Sequence, residues 1–406
     1  MGPLAGLKVL DLTHVMAGPT CTLMLADMGA DVIKIEKKPA GDDTRHMVPP
    51  KVGDEAASFL MMNRNKRGMV VDLKTPGGAR VVRTLAERVD VLVENFAPGA
   101  AERLGLGYEQ LRGVNPALIY CSISGFGRTG PYKHRRGFDL VAQAMSGIMS
   151  FTGSGTDGAP VKCGAPLSDI TAGILASMGI LAAYTHRLKT GQGQWVETSL
   201  FEAALVQTYW QSAIALATGV APKAMGSAHP LNAPYQAFET ASGWIVVGGA
   251  NATNWVRMLD AIGAPQLAQD PRFKDNAGRM ANLEALVAEL TRRFRTNTAA
   301  HWLEVLEKAG VPCGPVNDML QALNDPQTRA REMVTTVEHA TLGPVETIGL
   351  PVKFSATPGK VRNGAPLYGQ HTREVLSEYG FGDAEIAALE SEGAVQAASS
   401  ARGKVA

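Results

Sequence analysis

Cysteine is scarce in this chain and shows no pattern. The four present, Cys21, Cys121, Cys163 and Cys313, lie far apart. With no CxxC pair and no Cys/His cluster, neither a zinc site nor a disulfide framework is indicated, and no metal site is assigned. Net charge is almost absent as well. The 39 basic and 38 acidic residues leave a formal charge of +1. That excludes an overall field for nucleic acid or an anionic membrane. The opening residues, MGPLAGLKVLDL, carry no signal-peptide or transit-peptide pattern. Gly6 breaks the myristoylation pattern. A reduced, cytoplasmic setting is the expectation. No internal repeat is found. The longest apolar helix reads as too short, and too interrupted by Thr, Ser and Gly, to span a bilayer.

What is present is an alternation of strands and helices. A length of 406 residues implies two domains, or one large α/β domain with an insertion, and a hydrophobic fraction of 45% is ample for the core. Residues 7–12 read as a buried strand, 14–17 as a turn, 18–29 as a helix opened by Gly18-Pro19, and 31–36 as a second strand. This is a βαβ unit, which requires a parallel sheet. Glu36 ends the second strand, where dinucleotide-binding folds keep a ribose-binding acid. The turn THVMAGP is not GxGxxG, however, so a nicotinamide or flavin site is not supported. Basic residues follow in loops: Lys37, Lys38, Arg45 and Asn63-Arg64-Asn65-Lys66-Arg67. They sit after strand ends, where phosphates of a nucleotide-like ligand would suit them.

Further strands are read at 69–73, 91–94, 118–122 and 194–199, with helices at 76–89, 108–112, 138–150 and 200–216. From Gly219 to Pro234 the texture becomes linker-like. A hairpin follows at 235–247, then helices near 252–262, 280–296 and 298–309, as in a smaller α+β domain. Residues 339–352 read as a strand, and a helix begins near Thr372. The expected divisions are 1–220 for the first part of a large domain, 221–328 for a small domain with its linkers, and 329–392 for a return to the large domain. Residues 393–406, rich in Ala and Ser, read as a disordered tail.

The organising stretch runs from Lys162 to Gly193. A Gly-Ala-Pro turn leads to Ser168-Asp169 and a helix apolar nearly all round, which reads as buried. Asp169 at its mouth has two readings. Aspartate is a preferred capping residue. Alternatively, the helix N-terminus holds a carboxylate ionised, close enough to a substrate to act as a nucleophile.

Several segments together resemble the class III CoA-transferases, the CaiB/BaiF family. They are LAGLKVLDLTHVMAGP, ADVIKIEKKPAGDDTR, NRNKRGMVVDLKTPGG, ENFAPGAAERLG, the Asp169 helix continuing through LKTGQGQWVETSLFEAAL, GVPCGPVNDM and PLYGQHT. They span about residues 3–380 in the family's order. The resemblance implies a Rossmann-like large domain with a smaller α+β domain inserted, and an interlocked homodimer. It implies no permanently bound cofactor, with coenzyme A thioesters and carboxylic acids as substrates and neither nucleic acid nor membrane as partner.

By the same resemblance Asp169 is the nucleophile, forming first a mixed anhydride and then an aspartyl-CoA thioester. CoA contacts are implied at His14, Val15, Ala17, Lys37, Val71, Lys74, Asn95, Phe96, Arg103 and Arg136. Asp139 falls at a second acid near the reaction centre, and Met16 replaces a glutamine of the formyl-CoA-using branch. That branch's glycine-rich small-domain loop is replaced by Gly226-Ser227-Ala228-His229-Pro230. This loop is closer to the branch that moves CoA between dicarboxylic acids. Gly226 and His229 are therefore support candidates, succinyl-CoA is the expected donor and a dicarboxylate the expected acceptor. The alternatives are an acyl-CoA racemase or epimerase of the same fold, and a non-catalytic CoA-binding protein. The racemase branch carries a histidine where this chain has Phe138, which cannot move a proton.

Overall fold

In the computed structural model, residues 1–155 and 158–398 are described. Their contacts divide into two compact units. The larger comprises residues 1–146, 164–207 and the segment from Pro326 onward; the smaller comprises 147–163 and 208–325.

The larger unit is built on one sheet. Its strands are β1 (Lys8–Asp11), β2 (Asp31–Glu36), β3 (Lys66–Val71), β4 (Val91–Glu94), β5 (Ile119–Ser124) and β6 (Trp195–Ser199). All pair in parallel, in the order β3-β2-β1-β4-β5-β6. This is the order of doubly wound nucleotide-binding sheets, which reverse direction between β1 and β4. β1 to β5 are buried on both faces, so they appear in sequence as short, largely apolar runs, whereas β6 has exposed residues. Between the strands run α1 (Ala17–Asp27), α2 (Pro76–Ala86), α3 (Asp139–Met145) and α4 (Leu167–Thr190), and α5 (Leu200–Val206) follows β6. Leu10, Ile33, Met69 and Leu92 share a core cluster with Val81 and Leu85 of α2.

α4 differs from its reading as a wholly buried, short helix. It has 24 residues and is, by length and composition, long and apolar enough to cross a membrane. Only one face is buried, through Ala172, Gly173, Ala176, Ile180 and Ala183. Ile174 and Met178 on the other side are exposed in the single chain. The buried stripe is made of small residues because α4 packs tightly on α1. A Cβ on Gly173 would lie 2.6 Å from the carbonyl oxygen of Ala17.

Two helices read as continuous are broken. The 138–150 segment stops at Gly147, whose φ of +88° ends α3. The 200–216 segment breaks at Gln207–Thr208. Both breaks fall where the chain passes between the two units, a boundary that helical periodicity alone does not mark. The 339–352 strand is instead a hairpin, Val334–His339 with Gly343–Ile348. Gly343, at φ +69°, supplies its turn.

The tail reading is corrected over residues 393–398. Ala394 and Val395 are buried, and Val395–Gln396 pairs antiparallel with Val70–Val71 at the β3 edge. The remainder of the expected tail lies outside the described residues.

The smaller unit contains an antiparallel sheet. Tyr235–Thr240 and Gly243–Gly248 form the expected hairpin, and Cys313–Pro315 adds a third strand beside the latter. Phe238, Ile245, Trp255, Phe273, Leu290 and Phe294 fill its core.

Candidate active site

The direction reversal between β1 and β4 opens a crevice at the carboxyl ends of those strands, where open α/β sheets place their ligands. A cavity of about 580 Å³ lies there. One wall is the turn His14-Val15-Met16-Ala17 after β1. Another is Asn95-Phe96-Ala97-Pro98 after β4. Ile123-Ser124-Gly125 after β5 and Leu200 after β6 close it, with Arg135, Arg136, Gly137, Phe138, Lys37 and Asp43 at its margins and Asp169 facing in.

The turn after β1 is held by side chains from three directions. Asp11 accepts from the Thr13 amide at 2.9 Å and from its hydroxyl at 2.5 Å. Asn95 brackets His14, accepting from its N–H at 3.0 Å and donating to its C=O at 2.9 Å. Asp42 accepts from the Val15 N–H at 3.3 Å. Val15 has φ +69°, a left-handed conformation that costs a β-branched residue on the order of 1–3 kcal/mol.

Beneath the turn lies a buried charge ladder. Lys66 Nζ is 3.0 Å from Asp11 Oδ2, and Lys34 Nζ is 2.8 Å from Asp42 Oδ2 and 2.9 Å from the Thr13 carbonyl. All four charged side chains are buried. Burial alone would raise both aspartates; the lysines outweigh it and hold both carboxyls well below the usual range. For Lys66 burial wins and pushes the ammonium down to about 8. Burial, then the Lys34 charge, likewise lowers His14.

This accounting corrects the reading of the basic loops as phosphate ligands. Lys66 is spent on Asp11, Arg64 on Asp27 at 2.6 Å, Arg45 on Glu36 at 2.7 Å, and Arg67 on Asp31 at 2.6 Å. Glu36, in the ribose-acid position, is buried and taken up by Arg45 and the Asp42 amide. Of these loop cations, Lys37 lines the cavity, where it pairs with Asp43.

Asp169 is in the first turn of α4, not at its cap. Pro166 occupies the cap position, and no side chain of that residue serves the helix. Asp139 takes over the capping, accepting from the Ser168 amide at 2.9 Å. Its other oxygen accepts from Gln143 Nε2 at 2.7 Å. The helix N-terminus, read as holding the Asp169 carboxylate ionised, is opposed by two local effects. Burial, then the neighbouring Asp139 charge, push its carboxyl up to about 7. A carboxylate so raised is more basic, and so more nucleophilic, than an exposed one.

Of the implied CoA contacts, His14, Val15, Ala17, Lys37, Asn95, Phe96 and Arg136 line the cavity together with Met16. Val71 does not, being the last residue of β3 and fully buried in the core. Lys74 and Arg103 are exposed and lie outside the cavity lining. Gly226 and His229 belong to the smaller unit. There Gly226 donates to the Gly153 carbonyl at 2.8 Å. The His229 ring stacks on Tyr235 at 5.3 Å and meets Trp210 edge-on at 5.7 Å.

The profile of "CoA-transferase family III" matches residues 4–372. The chain belongs to CoA-transferase family III. It is 39% identical over 378 residues to the succinyl-CoA:glutarate CoA-transferase of Mus musculus, covering 93% of this chain and 86% of that one. It is 42% identical over 388 residues to the acetyl-CoA:oxalate CoA-transferase of Acetobacter aceti, covering 95% and 97%. Among solved structures it is similar to a CAIB/BAIF family protein from Brucella suis, with TM-score 0.83, 39% identity and coverage of 93% and 99%.

Several residues of this cavity escaped the residue-by-residue reading, whereas Phe138 was named there only as the residue that replaces the racemase histidine. Arg135, Phe138, Ile123 and Leu200 line the cavity. A signal for Ile123 and Leu200 existed, since each falls at or just past the carboxyl end of a strand. Asp42 had none; in sequence it is one of two adjacent acids in a polar loop.

Proposed function

We propose that this chain transfers CoA from an acyl-CoA donor, succinyl-CoA first, to a dicarboxylate, with Asp169 as the covalent relay. The observation that carries this reading is Asp169 itself, a carboxyl raised to about 7 and facing the switch-point cavity of a family III chain. Ionised Asp169 attacks the thioester carbonyl and expels CoA as the thiolate, leaving a mixed anhydride. The thiolate attacks the aspartyl carbonyl of that anhydride. It releases the donor acid and leaves an aspartyl-CoA thioester. The acceptor carboxylate then attacks, forming its own anhydride with Asp169, and the thiolate returns to the acceptor acyl group. Acyl activation is kept throughout, provided water is excluded.

The relatives support the acceptor class. Glutarate and oxalate, in the names of the mouse and Acetobacter enzymes, are both dicarboxylates, whereas their donors differ. The turn His14–Ala17, Asn95 and Phe96 bind the CoA moiety in this reading, and Arg135 and Arg136 meet anionic groups at the cavity margin. The functional unit is a homodimer, with the smaller unit as an inserted domain. Apolar side chains exposed in the single chain, including Met178, Leu188, Trp210 and Leu216, support that assembly. Incubation with succinyl-CoA followed by hydroxylamine, read by peptide mass spectrometry, tests the relay. A hydroxamate on Asp169 is expected; an unmodified Asp169 with every acyl-CoA tried would overturn it.

A further inference from the structure

The turn that faces Asp169 is bent in a way its own sequence disfavours. Valine at φ +69° needs something outside the turn to hold it there. Two of the three side chains that hold this turn act on unstrained neighbours: Asp11 on Thr13 and Asn95 on His14. The third, Asp42, acts on Val15 itself.

We propose that Asp42 is a positioning residue for the transfer reaction, setting the Val15 bend and thereby the cavity faces of Val15 and Met16. This rests on the reading of the cavity as the acyl-transfer site. The carboxylate is built for the task. Its Oδ1 accepts from Val15 N–H, and from the Thr44 amide and hydroxyl at 2.9 and 2.8 Å. Its Oδ2 is fixed by Lys34 at 2.8 Å. Its own amide is tied to Glu36 on β2 at 2.9 Å. The bend is thus referenced to the β2 strand rather than to the loop that contains it. Asp42 is fully buried and does not line the cavity, so it acts through the backbone of Val15.

The test separates positioning from mere stability with three variants. Asp42→Ala should lower kcat for CoA transfer about 100-fold, the scale of an ångström-level displacement, with a smaller rise in KM. Adding Val15→Gly to that variant removes the penalty for a positive φ, and should recover kcat at least about 5-fold. Adding Lys34→Met instead removes the buried ammonium that has lost its carboxylate, together with its bond to the Thr13 carbonyl. That should restore the melting temperature while kcat stays low. Hydrogen exchange across residues 13–18, read without substrate, should rise in Asp42→Ala and fall again in Asp42→Ala/Val15→Gly. The exchange result decides the positioning claim even if the wild type transfers nothing, which would sink the transfer reading alone. Unchanged exchange in Asp42→Ala overturns the proposal. So does a folded Asp42→Ala/Val15→Gly chain no more active than Asp42→Ala in an enzyme whose wild type is active.

Discussion

Replacing Gly173 by alanine tests whether the contact between α4 and α1 sets the reacting geometry. The added Cβ would sit 2.6 Å from the Ala17 carbonyl oxygen, about 0.8 Å inside the 3.4 Å at which ordinary contact begins. It would also lie 2.7 Å from Thr20 Cβ. Backbone oxygen cannot swing away as a side chain can, so the helices must part. Gly173 lies four residues after Asp169, on the same helical face, and Ala17 closes the active-site turn. The displacement therefore falls between nucleophile and cavity wall. A shift near 1 Å at a reacting centre costs up to about 100-fold in rate. Overpacking costs about 1–3 kcal/mol, partly offset by up to about 1 kcal/mol from replacing glycine inside a helix. The expected variant is folded, up to about 2 kcal/mol less stable, and 10- to 100-fold slower. The assay is single-turnover formation of the Asp169 hydroxamate from succinyl-CoA, alongside urea unfolding. Wild-type turnover in a chain of wild-type stability would refute the reasoning.

Other outcomes follow from the same geometry. In the proposed mechanism Asp169 must be ionised, so the transfer rate should rise with pH through about 7. Asp139→Asn removes the like charge while retaining an oxygen for the Ser168 amide, and should move that limb to lower pH; an unmoved profile speaks against the coupling. For stability the sign is opposite. The folded-state pKa of Asp169 lies above the unfolded value, so its favourable contribution is complete below the unfolded value and lost as pH rises through about 7. Asp169→Asn should therefore abolish transfer yet raise the melting temperature at pH 8. In the smaller unit, Arg279 is buried and donates to the carbonyls of Ala233, Ala250 and Phe273. Arg279→Met orphans all three and should cost about 2–4 kcal/mol in urea unfolding. Arg135→Ala/Arg136→Ala should raise KM for acyl-CoA about 5- to 30-fold with little change in kcat; a change confined to kcat would place these arginines at the reaction instead.

The alternation of buried strands and helices was legible because a doubly wound sheet writes each strand as a short apolar run. β4 and the 108–112 helix fall on the residues read for them. The segments that cross between units were not. Periodicity reports which face is buried, not which body buries it, so 138–150 and 200–216 each looked like one helix. The site divides in the same way. Asp169 and the turn from His14 to Ala17 could be named from residue type and family resemblance. The fate of the cations could not, because their carboxylate partners are mostly distant in sequence or on other strands. Lys66 finds Asp11, and Arg64 finds Asp27, so a run that looked like phosphate ligands became internal struts. Val71, a family-implied contact, illustrates the converse: at the end of β3 its side chain is committed to the core.

The last described strand has a practical side for anyone handling this protein. Among the described residues, Val395–Gln396 is the strand that covers the β3 edge. Shortening the chain at Gly393, as its composition invites, would strip away the strand paired with Val70–Val71, leaving the Val70 N–H only its bond to the Thr372 hydroxyl. An uncovered apolar strand recruits other chains. Chains trimmed there should precipitate even with the cavity beside Asp169 intact. A purification handle is better placed on the other end of the chain.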